Sequence, residues 1–87
     1  MNREEILHEA EKCVCGQREQ DYGTPENNFQ LIANLWSIYL GHDVTAIDVA
    51  MMMVMLKIAR IRTGGGSGDS FVDIAGYAAC GGEISCN

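Results

Sequence analysis

Proline is nearly absent from this 87-residue chain, with Pro25 the single copy. Basic residues are scarce as well: six Lys and Arg stand against twelve Asp and Glu, a formal charge of −6. A protein that grips phosphate backbones needs a basic stripe, so this balance excludes nucleic acid as a main partner. It leaves room for a small nucleotide, because one local cation pair or a metal overcomes the global sign. No segment alternates polar and apolar residues as a half-buried strand does. No apolar run reaches the roughly 20 residues of a membrane span; the richest one is bracketed by Asp48 and Lys57. The two histidines, His8 on a polar helix face and His42 in a turn, supply no Ser/His/Asp or Cys/His set.

Four cysteines occur, Cys13, Cys15, Cys80 and Cys86. An even count invites disulfides, but no secretory signal opens the chain, so reduced thiols in a cytoplasm are expected. Cys13-Val14-Cys15 lacks the C-x-x-C spacing and has no histidine pair beside it. These cysteines read as small apolar residues packing on helices, and zinc is not expected.

What is present is apolar bulk. The 87 residues allow one domain, 1–87, and 47% of them are hydrophobic, crowded between Phe29 and Ile61. That is more apolar surface than one small monomer hides, so self-association into a homo-oligomer is expected. Four helices are predicted, giving an all-α, four-helix bundle-like fold.

The first, about Arg3 to Glu19, is capped by Asn2 with Glu5 and carries a narrow face of Ile6, Ala10, Cys13 and Gln17. The second runs from about Pro25 to Leu40. Phe29, Ile32, Ala33, Trp36 and Leu40 form one apolar stripe, and Leu31, Leu35 and Ile38 a second, so cover on two sides is expected. The third, about Ala46 to Arg62, starts at a Thr45/Asp48 capping box. It is apolar nearly all round, the pattern of a central helix whose methionines fill a core. "TGGGSG" then reads as a flexible loop, with no Gly-Lys-Ser/Thr to make it a phosphate loop. The fourth begins near Asp69 or Ser70 and ends near Ile84. Its Ala75, Gly76, Ala78, Ala79, Gly81 and Gly82 cost helix stability but let another backbone approach, within the bundle or across a dimer.

Between the first two helices lies "QREQDYGTPENNF". Part of it is punctuation: Gly23 suits a positive φ, Thr24 an N-cap, Pro25 the first helical position and Glu26 the positive end of the dipole. Arg18, Asp21, Tyr22, Asn27 and Asn28 are left over, and they suit a small-molecule site. Tyr22 or Trp36 can stack on a base, Asn27 or Asn28 can read its edge, and Arg18 can take a phosphate.

Further charges sit on the last two helices. Lys57 and Arg60 share one face, while Asp69, Asp73 and Tyr77 share another. If the faces meet, they make either a structural ion-pair network or the walls of a pocket. In the pocket, Asp69 and Asp73, with Asp48 as a further ligand, hold a divalent cation while Lys57 or Arg60 meets a phosphate. Each aspartate singly is also explained by its place in a first helical turn.

"REQDYGTPENNFQLIANLW", "DVAMMMVMLKIAR" and "DSFVDIAGYAACGGEI" together resemble a family of small phage and prophage proteins of uncertain function, over roughly residues 17 to 84. More distantly, the "DYG" turn, Lys57-x-x-Arg60 and the Asp69-x-x-x-Asp73…Tyr77 pattern look like the MazG-like all-α nucleotide pyrophosphatases. That resemblance implies a helical oligomer that cleaves nucleoside triphosphates between the α and β phosphates using magnesium. The signature of those enzymes is Glu-x-x-Glu on one helix and Glu-x-x-Asp on the next. Here the first motif is reduced to Asp48, and the second maps onto Asp69 and Asp73, spaced by four instead of three.

Three functions follow as expectations. One is a phage-type binder, in the bacterial host cytoplasm, that sequesters a small nucleotide such as a cyclic or ADP-ribose-type immune signal. The second is a magnesium-dependent nucleoside triphosphate pyrophosphohydrolase using Asp48, Asp69 and Asp73. The third is a helical interaction module with no small ligand.

Overall fold

A computed structural model describes residues 1–65 and 68–86, and the side chains of all of these except 17, 18 and 65. The described residues are helical, without a strand: α1 (Arg3–Cys15), α2 (Gln17–Tyr22), α3 (Pro25–Leu40), α4 (Ala46–Arg60) and α5 (Gly68–Cys86), with a wide π-type turn over Ile61–Gly65. Local chemistry explains most of the boundaries. At the start of α1, the Glu5 amide donates to Asn2 Oδ1 at 2.8 Å while the Asn2 amide donates to Glu5 Oε1 at 3.2 Å. Thr24 Oγ1 accepts from the Asn27 amide at 3.3 Å and starts α3. Thr45 and Asp48 exchange two such bonds, 2.9 and 3.1 Å, at the start of α4. Each pairing satisfies helix N–H groups that have no carbonyl partner of their own.

The expected first helix does not run through to Glu19. It breaks at Gly16, where a Cβ would lie 2.7 Å from the Lys12 carbonyl oxygen, so only glycine permits this turn. The helix restarts as α2, and its end at Gly23 has the expected positive φ, 84°. The α4 helix stops two residues before the predicted Arg62. Of the predicted glycine loop, residues 66 and 67 lie outside the described part, and α5 already begins at Gly68.

The main helices pack in the order α1, α5, α4, α3, with α3 meeting α5 only marginally. This is an open arrangement, and it leaves helix faces uncovered. Lys57 of α4 meets Asp73 of α5, and Ala50 faces Gly81, so α4 and α5 run antiparallel. The α3–α4 turn is closed by Ser37, whose hydroxyl accepts from the Val44 amide at 2.8 Å and donates to the Val44 carbonyl at 3.3 Å.

The core is built mainly from small side chains: Phe29, Ala33, Ala46, Val49, Ala50 and Cys80, with Ile32, Trp36, Met53 and Tyr77 packed around them. Small residues bring the helix axes together but bury little area apiece. Two expectations fail here. The second stripe of α3, Leu31, Leu35 and Ile38, is exposed, and α4, although it packs between α3 and α5, is not covered all round, because Met55 and Ile58 face outward. A chain of this length has too few helices to cover two faces of each. Cys80 packs in the core as predicted, whereas Cys15 and Cys86 are exposed.

Candidate functional site

The break at Gly16 has a consequence beyond α1. It redirects the chain so that α2 and the turn after it form one wall of a cleft, with Glu19, Tyr22, Gly23 and Pro25 at the rim and Asn28 and Phe29 deeper on α3. The opposite wall is a face of α5, where Val72, Gly76 and Cys80 follow at i, i+4 and i+8, flanked by Asp73 and Tyr77. Cys13 and Val14 of α1 close the third side. The cleft is shallow and open to solvent, with about 50 Å³ of space for water-sized groups, well short of the roughly 300–1,000 Å³ of a site that encloses a drug-sized ligand.

Its lining combines apolar surface with a few polar groups. The Tyr77 ring lies 6.2 Å from that of Phe29, tilted by 40°, a favourable edge-inclined contact that orients the tyrosine. Lys57 Nζ donates to Asp73 Oδ2 at 2.9 Å, and the two side chains are 13% and 33% exposed. The lysine is therefore largely committed to its partner. Glu19 and Asp73 make the lining acidic rather than basic, and Asn28 adds an amide with both donor and acceptor.

Four residues predicted for the site come together here: Tyr22, Asn28, Asp73 and Tyr77. Lys57 reaches the edge through Asp73. The others do not join them. Asp21 and Asn27 belong to the same stretch but are exposed away from the lining, and Trp36 packs against the core cluster. Arg60 is exposed at the end of α4, and the Arg18 side chain lies outside the described residues. Asp69 sits exposed in the first turn of α5.

The expected three-aspartate metal set does not assemble. Among the described residues no three His, Cys, Asp or Glu side chains gather where they could hold an ion. The antiparallel α4–α5 pair explains this. Asp48 precedes Lys57 by nine residues, so it stands about 13 Å along the helix from the level of Asp73. Asp48 is instead occupied as a capping residue. Hydrogen bonds from the Thr45 amide and hydroxyl, with a smaller contribution from His42, hold its carboxyl below the usual aspartate range.

Glu19, Cys13, Val14 and Cys80 were not anticipated in the site. The α5 members were detectable, since Val72, Asp73, Gly76, Tyr77 and Cys80 share one helical face. Glu19 was not, because its placement depends on the break at Gly16. No helix among the described residues is long and apolar enough to cross a membrane.

Comparison with known proteins agrees with the phage side of the sequence resemblance. The chain is 48% identical over 77 residues to the Gene 55 protein of Mycobacterium phage D29, covering 88% of this chain and 51% of that one. It is 51% identical over 74 residues to the Gene 55 protein of Mycobacterium phage L5, covering 84% and 47%. The chain thus spans about half the length of the curated relatives it matches. No solved structure matches it. Residues 5–85 match the family described as Domain of unknown function (DUF6378), and the chain belongs to that family.

Proposed function

We propose that the cleft between the α2–α3 turn and α5 binds the base end of a small nucleotide, and that the protein captures its ligand without cleaving it. The observation that carries this reading is the convergence of Tyr22, Asn28, Asp73 and Tyr77, drawn from positions some fifty residues apart, on one open cleft. A base offers a π face for a tyrosine ring, and its exocyclic amino groups donate to carboxylates and amide oxygens. Glu19 and Asp73 suit an amino-bearing base, and their charge turns the phosphates outward toward solvent. Similarity to phage proteins is compatible with a ligand made by the bacterial host, and the proposed class is a nucleotide signal of the cyclic or ADP-ribose type.

The second reading is the magnesium-dependent pyrophosphohydrolase. It has Asp73 at the cleft, to which the ligand's phosphates and water would have to add the remaining magnesium ligands. The separation of Asp48 from Asp73 favours capture over hydrolysis, because metal-assisted attack of water needs its carboxylates together. The test incubates the protein with a nucleotide panel, with and without magnesium, and separates products from intact ligand. Protected nucleotide released unchanged on heating supports capture. Monophosphate plus pyrophosphate establishes the hydrolase, and no binding to any nucleotide leaves a helical interaction module.

A further inference from the structure

The polar groups lining the cleft differ in what they can read on a ligand. Tyr22, Asn28 and Tyr77 carry groups that both donate and accept, so they satisfy an amino or a keto edge equally. Glu19 and Asp73 are carboxylates, which in their ionised form only accept. Glu19 stands exposed at the rim, where water competes for its oxygens. Asp73 is half-buried on α5 and is held in place. Lys57 Nζ donates to its Oδ2 at 2.9 Å, yet Lys57 is not part of the lining, so it reaches the carboxylate from the α4 side. Oδ1 has no partner among the described residues. The lysine also offsets the charge of Asp73, which lowers the repulsion that an anionic nucleotide meets at this wall.

Within the nucleotide reading of the cleft, on which this depends, we infer that Asp73 selects the base and that Lys57 is its positioning residue. The ligand class is a base that bears an exocyclic amino group. An amino N–H meeting Oδ1 makes a charge-assisted hydrogen bond, stronger than a neutral one. A base without that group leaves the oxygen facing carbon or a keto lone pair, and it is rejected because an acceptor stays unpaired. The neighbouring side chains of Phe29 and Val72 offer no substitute donor. Lys57 acts at one remove. With Oδ2 bound, the carboxylate does not swing freely about its last torsion, so Oδ1 keeps one direction.

Matched nucleotides that differ by one amino group read this selection in titration calorimetry. The pairs are adenosine against purine riboside 5′-monophosphate, cytidine against pyrimidin-2-one riboside 5′-monophosphate, and guanosine against inosine 5′-monophosphate. For the base that binds best, loss of the amino group should weaken binding roughly tenfold. Lys57→Met with Asp73→Leu should bring that ratio to about one. Lys57→Met alone should reduce it, because the carboxylate is no longer held, and Lys57→Arg should restore it. The ratio separates positioning from a loss of stability, which weakens both members of a pair alike. Should the double variant fold poorly, Asp73→Asn keeps the shape, and its amide, able to present donor or acceptor, should cut the ratio about threefold or more. Pairs that bind the wild type within about twofold of each other overturn selection by Asp73, while the cleft remains a nucleotide site. A preference that survives the Asp73 substitutions overturns it equally, and a ratio unchanged in Lys57→Met overturns the positioning part. No binding of any nucleotide removes the selection together with the nucleotide reading.

Discussion

Two adjacent glycines on α5 test how the helices are held together. Gly81 is buried against α4, and a Cβ there would lie 3.0 Å from Ala50 Cβ and 3.4 Å from Met51 Cε. At Gly82 a Cβ would meet nothing within 4 Å. Both are helical with negative φ, so alanine at either gains the same intrinsic helix propensity, about 0.8–1 kcal/mol. For Gly82→Ala nothing opposes that gain, and the variant should be more stable by about 0.5–1 kcal/mol. For Gly81→Ala the new methyl presses on a fully buried Cβ that no side-chain rotation can move. The helices must separate by a few tenths of an ångström, an overpacking cost of about 1–3 kcal/mol. Gly81→Ala should therefore be less stable than Gly82→Ala by about 1–3 kcal/mol, roughly 4–24 °C in Tm for a domain of this size. Urea titrations followed by far-ultraviolet dichroism, at matched protein concentration, measure the difference. Equal stabilisation by the two alanines would refute the close α4–α5 contact.

Gly16→Ala puts a carbon 2.7 Å from the Lys12 carbonyl and should cost more than about 1 kcal/mol. It should also weaken nucleotide binding by displacing Glu19 and Tyr22, as titration calorimetry would show. Tyr22→Ala should leave folding intact and cost about 1–3 kcal/mol of binding if the ring stacks on a base; unchanged affinity would remove the ring from the site. Lys57→Met leaves Asp73 half-buried without its cation and should lose about 1–2 kcal/mol, whereas Lys57→Met with Asp73→Leu should return near wild type in chemical denaturation. Asp48 has a lowered carboxyl pKa in the folded chain, so the stability it adds is full above the ordinary aspartate range. That stability falls as pH drops through this range and is gone below the folded value. The gap between wild type and Asp48→Asn should accordingly narrow on acidification, and a gap independent of pH would contradict the capping role.

Part of the site was legible because helical spacing is a local property. Asp73 and Tyr77 lie four apart, and on any α-helix they point the same way. Tyr22 and Asn28 stood out as polar and aromatic residues left unexplained once Thr24 and Pro25 were assigned to capping. The aspartates were harder to place. Asp48 and Asp73 are equally plausible ligands until the direction of α4 against α5 is known, and the antiparallel packing sends them to different levels.

Local chemistry alone determined the all-helical class, the Asn2, Thr24 and Thr45 starts, and the polar turn that α3 follows, because caps and periodicity act over four residues or fewer. Only the tertiary structure decided which apolar stripes became core. Leu31 and Ala33, or Met51 and Val49, are equally good candidates by pattern, yet one of each pair is buried and the other exposed. Which face closes depends on how near two helix axes can come. That distance is governed by the small residues facing each other across them, such as Ala50 and Gly81, which are 31 positions apart in the chain and adjacent only after folding.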